Sequence, residues 1–273
     1  MRECIIYQEY EVKIITFANK KGGVAKTTSS INVAAAYGFA GRKVLFIDSD
    51  SQCNSTETLM RGKTTYDPRQ IRPSIYDVLT DVKKELPLDK AIRGVTREDN
   101  VHLIPSSQDM DSADVALSRQ SMWGMALQRR RGEIEELGYD VVVIDTPPGS
   151  AYTKTIALYA ADLVIIPTVA SSYSIDGLSD LIEEIAMIRD STGKRIDFRI
   201  LLVRMDGTRV AMKAREDLEG AFGKFVFQTE IPEATMVQRA EEKAASLLRH
   251  APMSKPAIAY AELFREVDAC LND

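Results

Sequence analysis

The chain has 273 residues, 45% of them apolar and 27% charged, an ordinary make-up for one large α/β domain or two small ones. Its formal net charge of −5 excludes nucleic-acid attraction by the whole-molecule field, so any such contact needs a local basic patch. Three scattered cysteines, Cys4, Cys53 and Cys270, and two histidines, His102 and His250, exclude a disulfide framework and a Cys- or His-built metal centre, and they suit a reducing cytoplasm. No apolar run approaches the ~20 residues that cross a bilayer. The opening "MRECIIYQEYEVK" carries Glu3 and no long apolar stretch, and is not expected to act as a signal peptide.

In chain order, strands are predicted at "VKIITFA" (12–18), "KVLFID" (43–48), "VHLIP" (101–105), "DVVVIDTPP" (140–148), "DLVIIPT" (162–168), "FRILLVR" (198–204) and "KFVFQTEIP" (224–232). A helix should follow the first strand, from Lys26 to Ala40, ending at Gly41. Further helices are predicted near 74–80, 111–137, 152–160, 174–190, 208–222, 235–249 and 256–271. Continuous apolar runs suit strands buried on both faces. Their alternation with helices implies a doubly wound, mostly parallel α/β sheet with helices on both faces. Residues 61–72 read as a surface loop. One domain is expected over 1–273, with 1–11 as an N-terminal extension.

Between the first strand and its helix stands "NKKGGVAKTTS". The strict phosphate-loop pattern needs glycine at positions 20 and 25, which here are Lys20 and Ala25. The context is nevertheless that of a phosphate site: a loop that leaves a strand and opens a helix. Backbone N–H groups from Gly22 through Val24, Ala25, Lys26 and Thr27 to Thr28 would surround phosphate oxygens. Gly22 and Gly23 would admit a close approach and positive φ. Lys26 would reach the β- and γ-phosphates, and Thr27 would ligate Mg²⁺. "LFIDSDSQCNST" puts Asp48 and Asp50 at a second strand end, and "VVVIDTPPG" puts Asp145 at a third. Carboxylates there suit a metal–phosphate site, where they hold metal-bound water or orient an attacking one.

On these residues the chain resembles the ParA/Soj family of partition ATPases, in the MinD/ParA branch of P-loop proteins. "KGGVAKTT" (21–28) is similar to the family's K-G-G-x-G-K-[ST] loop apart from Ala25. "SIYDVLT", "VHLIPSS", "YDVVVIDTPPG" and "EIPEATMVQRAEE" fall in the family's order, so the likeness covers nearly all of the chain beyond its first dozen residues. The resemblance implies ATP and Mg²⁺ as cofactors. It implies that Lys26 acts in its own subunit and Lys21 on the partner subunit's phosphates, in an ATP-dependent homodimer. It also implies that Asp50 positions the attacking water and Asp145 holds the Mg²⁺ shell, with Asp48 as a secondary candidate. Met205, Asp206, Ile231, Pro232 and Glu233 would border the adenine. Ser51 and Cys53 replace the family's Pro and Gly. No family role falls on Lys20, which reads as a solvated charge.

Relatives in this group bind double-stranded DNA non-specifically. Arg209, Lys213, Arg215, Lys224, Lys243 and Arg249, among other cations of the C-terminal part, are the candidates for such contacts. A ParB-like adaptor is the implied partner, and the cytoplasm, with nucleoid association in the ATP state, the implied location. The alternatives are a MinD-like membrane cycler and a metabolic enzyme on the same fold. "AYAELFREVDACLND" carries an apolar stripe of Tyr260, Leu263, Val267 and Leu271 over a mostly acidic face, so it should pack on its own domain and not on a membrane.

Overall fold

The apolar runs assemble into one eight-stranded sheet. In the computed structural model, residues 11–61, 67, 71–95, 97–149, 152–170 and 174–272 are described. The first half comprises β1 (Lys13–Phe17), α1 (Lys26–Phe39), β2 (Val44–Asp48), α2 (Asn54–Met60), α3 (Ile75–Thr80), α4 (Leu88–Ala91), β3 (Arg93–Gly94), β4 (Val101–Ile104), α5 (Ala113–Ser118), α6 (Arg131–Glu136) and β5 (Val141–Asp145). The second comprises α7 (Tyr152–Ala160), β6 (Leu163–Val169), α8 (Ser174–Thr192), β7 (Asp197–Met205), α9 (Arg209–Phe222), β8 (Ile231–Pro232), α10 (Thr235–Glu242), α11 (Leu247–His250) and α12 (Lys255–Asn272).

The strand order is β3-β4-β2-β5-β1-β6-β7-β8, with every pair parallel except β3–β4. All five residues of β2 and of β5 are buried, as strands covered on both faces require. Alternate side chains feed separate cores. Ile15, Phe17, Phe46 and Val143 pack with Tyr37 of α1 and with Tyr260, Leu263 and Val267 of α12. Ile14, Leu45, Ile47 and Ile144 pack with α3, α5, α6 and α7. Val164, Ile166, Ile200 and Leu202 meet Leu178, Leu181 and Ile185 of α8. The stripe of α12 is therefore turned inward, with Leu271 partly buried at its end. Truncating Leu263 to Ala would cost about 2–5 kcal/mol.

Three departures from the predicted elements have local causes. The run 224–232 yields only a bridge from Val226 to Ile200 and the two-residue β8. Between them the N–H groups of Gln228 and Thr229 donate to the carboxylate of Glu266 on α12, both at 2.8 Å, not to a strand. The long helix expected over 111–137 is broken into α5, 3₁₀ turns and α6, with Met122 at φ 58°. The helix expected over 235–249 splits at Ala244, φ 53°. Of the loop expected at 61–72, residues 62–66 and 68–70 lie outside the described residues.

The fold sets β1, β2 and β5 side by side, with Phe17 and Asp48 both in register with Asp145. Their carboxyl ends open onto one crevice, the place where such sheets bind ligands.

Candidate functional site

The loop between β1 and α1 is held at its root. The Asn19 amide donates to the Pro167 carbonyl at 2.7 Å and its oxygen accepts from Lys21 N–H at 2.9 Å. Gly149 N–H closes the other side onto the Lys20 carbonyl. Two residues of the loop take the left-handed conformation: Gly23 at φ 73°, and Ala25 at φ 56°, ψ 32°. Gly22 does not, contrary to expectation; a Cβ there would stand 3.9 Å from the Pro148 side chain. Ala25 is the N-cap of α1 and offers no side-chain cap, so the first N–H groups of the helix face the crevice as donors.

Lys26 is buried, and its ammonium donates to the Lys21 carbonyl at 3.2 Å. Burial lowers its pKa, against the pull of Asp145 and Asp50. Lys21 is exposed and has no ion-pair partner among the described residues. Lys20, expected as a solvated charge, instead pairs with Asp180 of α8 at 2.9 Å.

Asp145 lies at the centre, fully buried. Its Oδ2 accepts from Thr27 Oγ1 at 2.7 Å and from Ser55 Oγ at 2.6 Å, while its Oδ1 has no partner. A buried carboxylate oxygen with nothing to bind is costly, and a divalent cation beside it removes that cost. The Thr27 hydroxyl stands at the same carboxylate, so the donor set is all oxygen, as Mg²⁺ prefers. Burial pushes Asp145 up to about 6. Burial first, and then the charge of Asp145, pushes Asp48 up to about 7. Asp50 is buried on the loop leaving β2, and its Oδ1 accepts from Gln52 N–H at 3.0 Å. Asp48 differs from Asp145 in accepting three bonds, from Asp50 N–H, Thr56 N–H and Thr56 Oγ1. Ser55 and Thr56 went unseen in the sequence because α2 has no apolar stripe to announce a helix. Cys53, the N-cap of α2 at φ 56°, is buried, and burial pushes its thiol up to about 12.

A cavity of about 310 Å³ opens beside the loop, bounded by Gly23, Ala25, Val203, Pro232, Glu233 and Tyr260. Ile231, Pro232 and Glu233, expected beside the base, are together in its wall. Met205 and Asp206 do not line it. Met205 packs into the core on the other face of the sheet, and Asp206 is exposed, accepting from Thr208 N–H at 3.0 Å. Arg204 takes their place at the wall, at φ 56°, paired with Glu233 at 3.0 Å. On the opposite flank Trp123 packs on Tyr152, with ring centroids 4.3 Å apart.

The candidate DNA cations differ in their partners. Arg209, Lys213 and Lys224 are exposed on α9 and the turn after it. Arg215 is committed to Glu219 at 2.8 Å and Glu230 at 2.9 Å. Arg249 pairs with Asp99 at 2.5 Å, and Lys243 is exposed just beyond α10.

Residues 12–198 match a family model described as an AAA domain. The chain is 33% identical to the chromosome-partitioning ATPase Soj of Thermus thermophilus, over 96% of this chain and 98% of that one. It is 30% identical to the chromosome partitioning protein ParA of Caulobacter vibrioides, over 94% of each. Among solved structures it is similar to cobyrinic acid a,c-diamide synthase from Mycobacterium smegmatis with bound ATP analog and magnesium, at 26% identity and a TM-score of 0.75 over 94% of both chains. With a loop that departs from the strict pattern at Lys20 and Ala25, an isolated second lysine, and three aspartates at two adjoining strand ends, the chain belongs to the ParA/Soj family of partition ATPases, on a P-loop fold.

Proposed function

We propose that this chain is a Mg²⁺-dependent ATPase that positions DNA or another cargo by cycling between an ATP-bound dimer and an ADP-bound monomer. The observation that carries the reading is the bare Oδ1 of buried Asp145, beside the Thr27 hydroxyl and the Lys26 ammonium at the mouth of the loop. Mg²⁺ there would offset charge on the phosphate oxygens, held by Thr27 and Asp145 with Asp50 close by. The loop N–H groups from Gly22 to Thr28 bind the phosphates. Lys26 stabilises the charge that spreads over the transferred group. Asp50 orients the attacking water. Pro232 and Glu233 border the base.

The exposed, unpaired Lys21 supports the dimer. Nothing described in its own subunit neutralises it, so it is free to reach the phosphates of a second copy. In the ATP state the dimer binds duplex DNA non-specifically through the exposed cations of α9 and the α10–α11 region, and a ParB-like adaptor accelerates an otherwise slow hydrolysis. The inward turn of α12 argues against a MinD-like membrane anchor, and no helix among the described residues is long and apolar enough to cross a membrane.

The test is phosphate release from MgATP by the wild type and by Asp50→Ala. The variant keeps the backbone bond to Asp48 and loses the water-orienting carboxylate, so it should bind ATP, stop turning over and accumulate as a dimer. Hydrolysis at the wild-type rate would overturn the assignment. The similarity to cobyrinic acid a,c-diamide synthase favours a second reading, an ATP-dependent ligase. Phosphate release that requires an added carboxylate and amine, and ignores DNA and a second copy, would identify that reading.

A further inference from the structure

The hydrolysis reading leaves unexplained how Asp50 is held. It sits on a turn between β2 and α2, and among the described residues its carboxylate accepts only a local bond, from Gln52 N–H. The turn is closed from below by Asp48. Oδ1 of Asp48 accepts Asp50 N–H at 3.1 Å, at the start of the turn. Oδ2 accepts both Thr56 N–H at 2.8 Å and Thr56 Oγ1 at 2.6 Å, at its end. One carboxylate thus ties both ends of the segment that carries Asp50.

The end at Thr56 has two supports of its own. Thr56 is the third residue of α2, whose N–H needs an acceptor from outside the helix, and the N-cap residue Cys53 supplies none. Asp48 is that acceptor. Second, Thr56 Oγ1 accepts from Ser106 N–H at 2.9 Å, at the end of β4. A backbone N–H only donates, so the Thr56 hydroxyl proton is left for Asp48. The bond therefore has a fixed direction. Asp48, Thr56 and Ser106 are all fully buried, which excludes competing water.

We propose that Thr56 is a positioning residue for hydrolysis: its hydroxyl, oriented by Ser106 N–H, fixes the Asp48 carboxylate and through it the backbone of Asp50. Thr56 touches no bound group itself. Without the hydroxyl, Asp48 loses its shortest bond and is held by two backbone N–H groups alone, and the anchor at Asp50 N–H loosens. The phosphate loop is untouched, so nucleotide binding stays. The inference rests on the ATPase reading above and adds to it a residue outside the loop and the metal site.

The experiment compares Thr56→Val, which keeps the shape and removes the hydroxyl, with Thr56→Ser, which keeps the hydroxyl. Steady-state hydrolysis of MgATP should show kcat lower by roughly 10–100-fold in Thr56→Val, the usual loss when an outer-shell partner is removed. KM should stay within about twofold, and Thr56→Ser should recover most of the rate. A hydroxyl that served stability alone would not split kcat from KM in this way. If Thr56→Val does not fold, Thr56→Ala takes its place. Amide hydrogen exchange, read in parallel without nucleotide, should be faster at Asp50 in the variant and protected again in Thr56→Ser. Wild-type turnover in Thr56→Val, or equal loss in Thr56→Ser, would overturn the proposal. If the wild type itself does not hydrolyse ATP, the ATPase reading fails. The exchange data then decide alone: unchanged protection at Asp50 would overturn the positioning role.

Discussion

The Lys26 ammonium donates to the carbonyl of Lys21 at 3.2 Å, so the buried lysine of the loop is clamped to the backbone of the exposed one. Their side chains have opposite fates. Lys26 is buried in the site and Lys21 is exposed. Lys26→Ala should therefore abolish ATP binding. Lys21→Ala should leave the dissociation constant of the monomer within a few-fold and remove dimerisation and turnover. Equilibrium titration with ATP, together with sedimentation of both variants, measures this. Equal loss of affinity would show both lysines acting in one subunit.

Ala25 is in the left-handed region, where a Cβ costs roughly 1–2 kcal/mol. Ala25→Gly relieves that strain and gives back part of it as unfolded-state entropy. The expected outcome is a net gain of up to about 1 kcal/mol in stability, with ATP affinity kept or raised. Chemical denaturation and ATP titration of the variant check both parts.

The two raised carboxylates give the nucleotide-free protein a pH signature. Asp145 is pushed up to about 6, against roughly 3.9 for an unfolded Asp. Between these values the folded state binds more protons than the unfolded one, so this group makes stability fall as pH rises. Above about 6 the penalty is complete. Asp145→Asn should flatten this part of the curve, and added Mg²⁺ should lessen it in the wild type. Urea midpoints of both proteins across the acidic to neutral range, with and without Mg²⁺, decide.

DNA binding should need ATP and fade with salt, with log affinity falling by about 0.9 per phosphate contacted for each unit of log salt. Lys213→Glu and Lys224→Glu should weaken binding to unrelated duplexes alike. Arg215→Glu is a poorer probe, because it also places a third carboxylate beside Glu219 and Glu230. Anisotropy across a salt series, with and without ATP, measures all three. No binding with ATP would point to a protein-surface cargo.

What was legible in the sequence followed from periodicity and from strand-end chemistry. The buried runs "VLFID" and "VVVID" fixed β2 and β5, and with them the neighbouring places of Asp48 and Asp145. Lys26 and Thr27 followed from their distance to the first strand. What the sequence hid depends on contacts between distant segments. Nothing local in "NSTETLM" says that Ser55 reaches the carboxylate of Asp145, or that Thr56 accepts from Ser106 N–H. Met205 and Asp206 stand outside the cavity wall and Arg204 within it, where the register shifts between Val203 and Met205, and side-chain alternation cannot foresee an irregular strand. Sequence shows charges and not their partners, so it could not separate Arg215 and Arg249, which pair with carboxylates, from the exposed Lys213 and Lys224.

The packing of Trp123 on Tyr152 has a practical side. The chain contains one tryptophan, and its ring rests on the first residue of α7, seven positions beyond Asp145. Indole emission from this protein is consequently a single-site signal, unlabelled and native, taken from the flank of the crevice. A shift in colour or intensity on adding nucleotide reports a change at the contact between Trp123 and Tyr152. Stopped-flow optics can therefore time the change at that contact against phosphate release, in one cuvette and without a dye.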